Sequence, residues 1–210
     1  MNNETPSMAK VLQDAIDNKL CDLHTAMPAE ILEYDAEKQT AKVQPQFKRK
    51  FIDGSVESVP TISGVPVIMP RSGKSFISLP LKKGDQVFLI FAERSIENWK
   101  QSGGEVDPST EPRKHSYSDA FAIPGGYHSG NAFAGDPNNI IIKNDKAEIT
   151  ILPSGKFKIG KSGGDELLDL ISQVVDALAK TTTNTMIGPQ KLNEFATFAQ
   201  LKGKIDGLKG

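Results

Sequence analysis

The stretch Arg71-Ser72-Gly73-Lys74-Ser75 has the residue types of a phosphate-binding loop, in which glycine lets backbone amides approach an anion and lysine reaches its oxygens. That chemistry also needs a glycine five positions before Gly73, where Ile68 stands, and a helix opening behind the loop, where an extended run follows instead. A hairpin turn fits the residues better. Metal chemistry has His24, His115 and His128 to draw on, none at ligand spacing from another, and Cys21 with His24 makes too few ligands for a structural zinc site. A symmetry axis multiplies any residue lying on it, so His128, in a glycine-rich stretch, is the candidate for an axial metal or anion site. Glu93, Glu97, Asp107 and Asp119 offer carboxylates for acid and base work, yet nothing in the sequence brings two of them to the separation a glycosidase requires. No Cys/His arrangement with an orienting partner is visible. Phe47-Lys48-Arg49-Lys50-Phe51 mixes aromatic and basic side chains as single-strand binders do, but it is short and isolated, and the formal net charge of -1 supplies no basic excess. The expectation is a protein without catalysis, cofactor or nucleic-acid partner.

The same charge balance gives no field to draw the chain to anionic lipid, and a lone Cys21 rules out an intrachain disulfide. Met1 to Lys10 holds no apolar run of the kind a signal peptide needs, and no stretch of 18 apolar residues marks a membrane span. From Pro6 to Met27, Met8, Val11, Leu12, Ala15, Ile16, Leu20 and Leu23 recur at helical spacing, which predicts an amphipathic helix over 1–27 packed on the chain's next domain or on a sister subunit. Residues 28–125 then read as short strands. Ala41 to Phe47, Val56 to Ile62, Val65 to Met69, Phe76 to Leu79 and Gln86 to Phe91 are separated by turns at Tyr34-Asp35-Ala36, Asp53-Gly54, Ser63-Gly64, Arg71-Ser72-Gly73 and Lys83-Gly84-Asp85. Strands at this spacing predict a small antiparallel barrel, of which the OB-fold is the commonest at this size.

Residues 126–162 begin as a Gly-, Asn- and Ser-rich linker and end in NIIIKNDKAEITILPSGKFKI, Asn139 to Ile159. Here Ile141, Ile149 and Phe157 recur every eight residues, as do Ile151 and Ile159, with turns at Asn144-Asp145 and Pro153-Ser154-Gly155. So small a meander is marginal in water by itself. Three copies around a threefold axis would bury the rows in one β-prism, which predicts a homotrimer. Over 163–210, Leu167, Leu168, Leu170, Ile171, Val174, Val175 and Leu178 predict a helix capped by Asp165. A second is expected from near Pro189, with Leu192, Phe195, Phe198, Leu201, Ile205 and Leu208 buried, the pair forming a hairpin or a bundle with symmetry mates. The fold class expected is mainly β with terminal helices: a barrel, a short trimeric β-prism or β-helix, and C-terminal α-helices.

GDQVFLIFAERSIENWKQSGG (Gly84 to Gly104) and DPSTEPRKHSYSDAFAIPGG (Asp107 to Gly126) resemble the N-terminal OB domain of the membrane-piercing, or baseplate-assembly, spike family of contractile-tail phages. Glu166 to Leu208 looks like a tail-end helix pair of relatives of that family. The resemblance implies a structural homotrimer, the central spike of the tail baseplate, assembled in the host cytoplasm, carried in the virion and driven through the host outer membrane when the sheath contracts. Its implied partner is a baseplate hub protein; the longer members end in an iron-binding His-x-His apex that this chain lacks, so either a separate tip protein or the C-terminal helices themselves form the distal end. A spike of a related injection or secretion system has the same architecture, and a single-strand binder is the alternative of another class. Within the matched stretch, Trp99 and Ile96 are expected to plug the barrel or a subunit contact, Arg94 and Glu93 to pair in a turn, and Arg113, His115 and Asp119 to lie on a polar crossover between subunits. With Ile141, Ile149, Ile151, Phe157 and Ile159 these residues are the expected trimer contacts.

Overall fold

The computed structural model of the chain describes residues 7–51, 54–103, 105, 111–133 and 135–209. Pro6, Asp53, Asp107 and Gly210 lie outside the described residues. The fold is mainly β with four α-helices among the described residues, and it divides into two compact units, Met1–Ala132 and Phe133–Gly210. No helix among them is long and apolar enough to cross a membrane.

The first unit opens with α1 (Met8–Cys21), whose Ser7 side chain caps the Lys10 amide. It ends earlier than expected, because β1 (Ala26–Asp35) begins just beyond it. None of its residues is buried, so its apolar stripe does not pack on the chain's own next domain as expected. After β1 come β2 (Thr40–Pro45), β3 (Lys48–Lys50), β4 (Val56–Ser58), β5 (Ile62–Pro66), β6 (Arg71–Ser72), β7 (Ser75–Phe76), β8 (Gln86–Phe91), the short helix α2 (Glu97–Ser102) and β9 (Ala120–Pro124). Five of these strands form one antiparallel sheet in the order β5-β2-β1-β8-β9. The long β1 serves both neighbours: its first half pairs with β8 and its second with β2, with a bulge between Ile31 and Glu33. A second irregularity lies between Ala41 and Val43, opposite Gly64, whose φ of 66° needs glycine. Bulges increase twist, and these curl the sheet until its ends approach. Val67 bridges Ala122 in parallel, and the Ile68 N–H donates to the Ala122 carbonyl at 2.8 Å.

Alternation decides what fills the curl. Ala41, Val43 and Pro45 on β2, and Val87, Leu89 and Phe91 on β8, are buried while their neighbours along the strand are not. They meet Ala29 and Ile31 of β1, Val65 of β5, and Ala120 and Ala122 of β9. Alanine on three of the strands suits the narrow interior of a strongly curled sheet, where larger side chains would collide. The hairpins β3–β4 and β6–β7 stand beside this sheet as separate two-stranded pairs. Phe76 to Leu79 therefore yields only the end of β7, where a full barrel strand was expected.

The second unit holds β10 (Ile140–Asn144), β11 (Ala147–Ile151), β12 (Phe157–Lys161), α3 (Leu167–Lys180), β13 (Thr182–Thr185), β14 (Gly188–Lys191) and α4 (Phe195–Leu208). The three strands β10-β11-β12 form an antiparallel meander, and α3 packs against α4. Between those helices the chain makes the β13–β14 hairpin, so Pro189 lies in a strand and α4 starts at Phe195 instead of near Pro189. Thr182 to Thr185, β-branched at three of four positions, is strand-forming and stops α3.

Leu89 is fully buried among these residues. Leu89→Ala is expected to lower the unfolding free energy by about 2–5 kcal/mol with little change in urea m-value, measured by chemical denaturation.

Candidate functional site

Among the described residues the candidate chemical groups lie in turns, on exposed surface and in one polar network. Arg71 to Ser75 is the tight hairpin β6–β7, with Gly73 at φ 55° and the Arg71 Nε donating to the Gly73 carbonyl at 3.2 Å. Among the described residues no three His, Cys, Asp or Glu side chains group to hold a metal. His128 is exposed, and its Nδ1 accepts the Gly130 N–H at 3.2 Å within its own turn. In the basic stretch on β3, Arg49 faces Asp22 at 3.6 Å and lies over the Tyr117 ring, 5.6 Å from its centroid. Tyr117 stacks in turn on His24 at 3.7 Å; burial, then the Arg49 charge, lowers the pKa of that imidazole.

The polar crossover is built around Asp119, which is fully buried. Its Oδ1 accepts the Ile96 N–H at 3.0 Å, and its Oδ2 accepts the Ser118 hydroxyl at 3.5 Å and lies 3.9 Å from Arg113 Nη1. Arg113 grips Glu111 with two donors, Nε at 2.9 Å and Nη2 at 3.2 Å, and also donates to the hydroxyls of Ser118 and Ser95 at 2.7 and 2.8 Å. The Glu111 hydrogen bond raises the guanidinium pKa, and Arg113 holds the Glu111 carboxyl below its ordinary range. Nearby, His115 sits at φ 47° with its Nδ1 buried and unbonded. Arg94 faces Glu93 at 3.7 Å in an exposed turn.

This network positions α2. The helix has no side-chain cap of its own, and Asp119 takes the amide of the residue before it. Lys100 ties the same helix to the Ser118 carbonyl at 3.2 Å. Trp99 thereby lies edge-on to Phe121, with ring centroids 5.3 Å apart. It is 48% exposed, so it covers the outside of the sheet and does not plug the interior; Ile96, beside it, is buried. Phe121 pairs across the strands with Ile90, and Ile123 with Phe88, so β8 and β9 present an apolar patch outward as well as a core inward. Sequence reasoning named Trp99 but missed Phe88, Ile90, Phe121 and Ile123. The signal for Phe88 and Ile90 was the unbroken apolar run Val87 to Phe91, which marks a strand apolar on both faces.

The second unit carries a larger apolar face. Register pairs Ile140 with Ile151 and Phe157, and Ile142 with Ile149 and Ile159, giving two cross-strand rows on one side of the meander. Ile141 instead pairs with Thr150 and falls on the other side, so the eight-residue spacing aligned it with the wrong partners. Ile140 and Ile142 remain 64% and 60% exposed, and Ile149 is exposed too. Apart from Ile141 the opposite face is polar, with Thr150, and with Lys143 and Glu148 at 3.3 Å. The outer edge of β12 is closed by its own chain: Gly160 bridges Glu166, Phe157 bridges Lys209, and a Cβ at Gly160 would run into the Asp165 carbonyl oxygen. In the helix pair, Asp206 accepts the Ser172 hydroxyl at 2.7 Å and Lys202 Nζ at 2.8 Å.

Residues 27–125 match the family model described as phage protein Gp138 N-terminal domain. That span runs from the start of β1 to the end of β9, so the likeness covers the curled sheet and the Asp119 network together. It supports a phage structural protein. No curated protein matches the chain.

Asp119→Ala removes the acceptor for Ile96 and the carboxylate facing Arg113. It is expected to destabilise the first unit by about 1–3 kcal/mol and, because Trp99 is the sole tryptophan, to shift its fluorescence to the red. The hydrogen bonds from Lys202 and Ser172 hold Asp206 down to about 2 from an ordinary 3.8. A carboxyl with a depressed folded-state pKa contributes stability that is full above its unfolded value and lost as pH falls toward its folded one. Helical circular dichroism is therefore expected to weaken between about pH 4 and 2, and Asp206→Asn to flatten that transition.

Proposed function

We propose that the protein is a non-enzymatic structural component of a phage particle: a homotrimer forming the central spike of a contractile-tail baseplate. The observation that carries this reading is the face of the meander made by Ile140, Ile142, Ile149, Ile151, Phe157 and Ile159, with its β10 residues more than half exposed. Burying a side chain of this size from water is worth about 1.5–3 kcal/mol, so three left exposed, Ile140, Ile142 and Ile149, beside three half-buried ones favour association. A threefold arrangement suits the face because the sheet's β12 edge is closed by Glu166 and Lys209, which disfavours edge-to-edge growth into a fibre and leaves face packing about a closed axis.

The likeness of residues 27–125 to a phage protein domain supports a virion location. The strand order β5-β2-β1-β8-β9 with its parallel bridge from Val67 to Ala122 supports an OB-type barrel for that domain. Its outward patch of Phe88, Ile90, Trp99, Phe121 and Ile123 is suited to a sister subunit or the hub protein. In this reading the sheath supplies the work and the spike supplies shape and stiffness. It crosses the host outer membrane as a rigid body and acts without cofactor or nucleic acid, with a tip protein as a further partner.

Light scattering is expected to give three times the 22.8 kDa chain, about 68 kDa. Ile149→Asp, which places a charge within one apolar row, is expected to shift the mass toward the single chain. A well-folded monomer with the meander ordered at micromolar concentration would sink the spike reading.

A further inference from the structure

The two sides of α3 differ in a way that one chain does not explain. Ser172 is buried against α4, where its hydroxyl donates to Asp206, and Leu168, Val175 and Ala179 on the same face are half-buried. A second stripe, turned about a quarter of the way round the helix, consists of Leu167, Ile171, Val174 and Leu178, all exposed. Their spacing is four, three, four, the seam of a coiled coil. Ile171 and Val174 put β-branched side chains at both kinds of seam position, a combination that favours more than two strands. On the far flank of that stripe Leu170 is exposed, and Leu201 and Leu208, seven apart on α4, are exposed as well.

Resting on the trimer reading above, we infer that the helical hairpins of three copies form a six-helix bundle, with the α3 stripes meeting on the threefold axis and each α4 lying in the groove between two α3 helices. The occupant of the exposed stripe is thus a second copy of this chain. Leu201 and Leu208 of one copy then meet Leu170 of the next, which accounts for the exposed leucines on both helices at once. Charge complementarity points to self-association over a charged partner. The stripe carries no ionised group, and the acids of the helix, Asp169 and Asp176, lie on its opposite side and are paired within the chain, Asp169 with Lys209 at 2.7 Å and Asp176 with Lys180. Three parallel copies therefore bring no unpaired like charges together.

The start of the helix is also continuous with the meander. Glu166 closes the edge of β12 by accepting the Ile159 N–H at 2.9 Å and caps α3 by accepting the Asp169 N–H at 2.7 Å. One side chain thus fixes where α3 departs from the sheet, so three meanders packed around an axis launch three α3 helices in parallel and in register. Two heptads are too short to hold a coiled coil alone, which is why the outer α4 helices belong to the design.

The test uses the full chain carrying Cys21→Ser with Val174→Cys, oxidised under native conditions, and Gln200→Cys on the outer side of α4 as control. Identical positions meet on the axis, so a covalent dimer is expected at residue 174, up to about two-thirds of the chains because three thiols leave one unpaired, and no dimer at residue 200. A trimer by light scattering with no cross-link at residue 174 overturns the bundle and leaves the spike reading standing. A monomer by mass overturns both. Hydrogen exchange of the unaltered chain gives a second measurement: α3 amides are expected to exchange at least about tenfold more slowly in the trimer than after dilution to the single chain, and equal rates in both overturn the bundle.

Discussion

Two cross-strand rows of aliphatic side chains lie on one face of a three-stranded meander, and what covers them governs how the second unit can exist in water. A meander of this size does not stabilise itself, and the packing of α3 on β12 leaves Ile140 and Ile142 of β10 more than half exposed. Glu166 and Lys209 close the β12 edge and leave the apolar face as it is. Closing an edge while leaving a face open selects the geometry of association. With the β12 edge closed, continuous strand-on-strand growth through the sheet is blocked, while packing of faces around an axis is not.

The first unit solves its own problem first and presents surplus second. Its sheet curls around alanine, valine and isoleucine side chains until Val67 reaches Ala122, so the interior is complete within one chain. What is left outside is ordered by polar contacts. Asp119 is expensive to bury, and it is matched by the Ile96 amide, the Ser118 hydroxyl and the nearby Arg113 guanidinium. The result is a fixed α2 and a tryptophan held against Phe121 on the outside. Polar groups here act through position: they make an apolar surface rigid, and rigid surfaces lose less entropy when a partner arrives.

How much of this was legible in the sequence depended on whether local pattern and tertiary context agreed. Alternation along β2 and β8 gave the right faces because both strands bury one side completely. β1 was not read as a strand, since Met27, Ala29 and Ile31 alternate with Pro28 and Glu30 over only five residues before a bulge resets the alternation, and its pairing is divided between two neighbours. β9 went unrecognised because five residues after a turn carry too little pattern to stand out. Ile141 was placed on the wrong face for a simpler reason: Ile140, Ile141 and Ile142 offer an apolar side chain to either side, and only the turn at Asp145, with φ 52°, decides the parity. The start of α4 was set too early because Pro189 is as acceptable at the edge of a two-stranded hairpin as at the first turn of a helix.

The candidate site was harder to see than the fold, because nothing in it is a chemical motif. Arg113, His115 and Asp119 stood out as polar residues in need of partners. Their partners, Ser95, Glu111 and the Ile96 amide, come from a loop some twenty residues earlier and from the crossover itself, a juxtaposition that spacing does not encode. The apolar surfaces were legible only as excess. A strand apolar on both faces, a meander with more isoleucine than it can bury, and a helix with two stripes each declare more hydrophobic surface than one chain of this size can cover. In the proposed trimer such excess, with a formal charge close to zero, is what like surfaces of sister copies would cover.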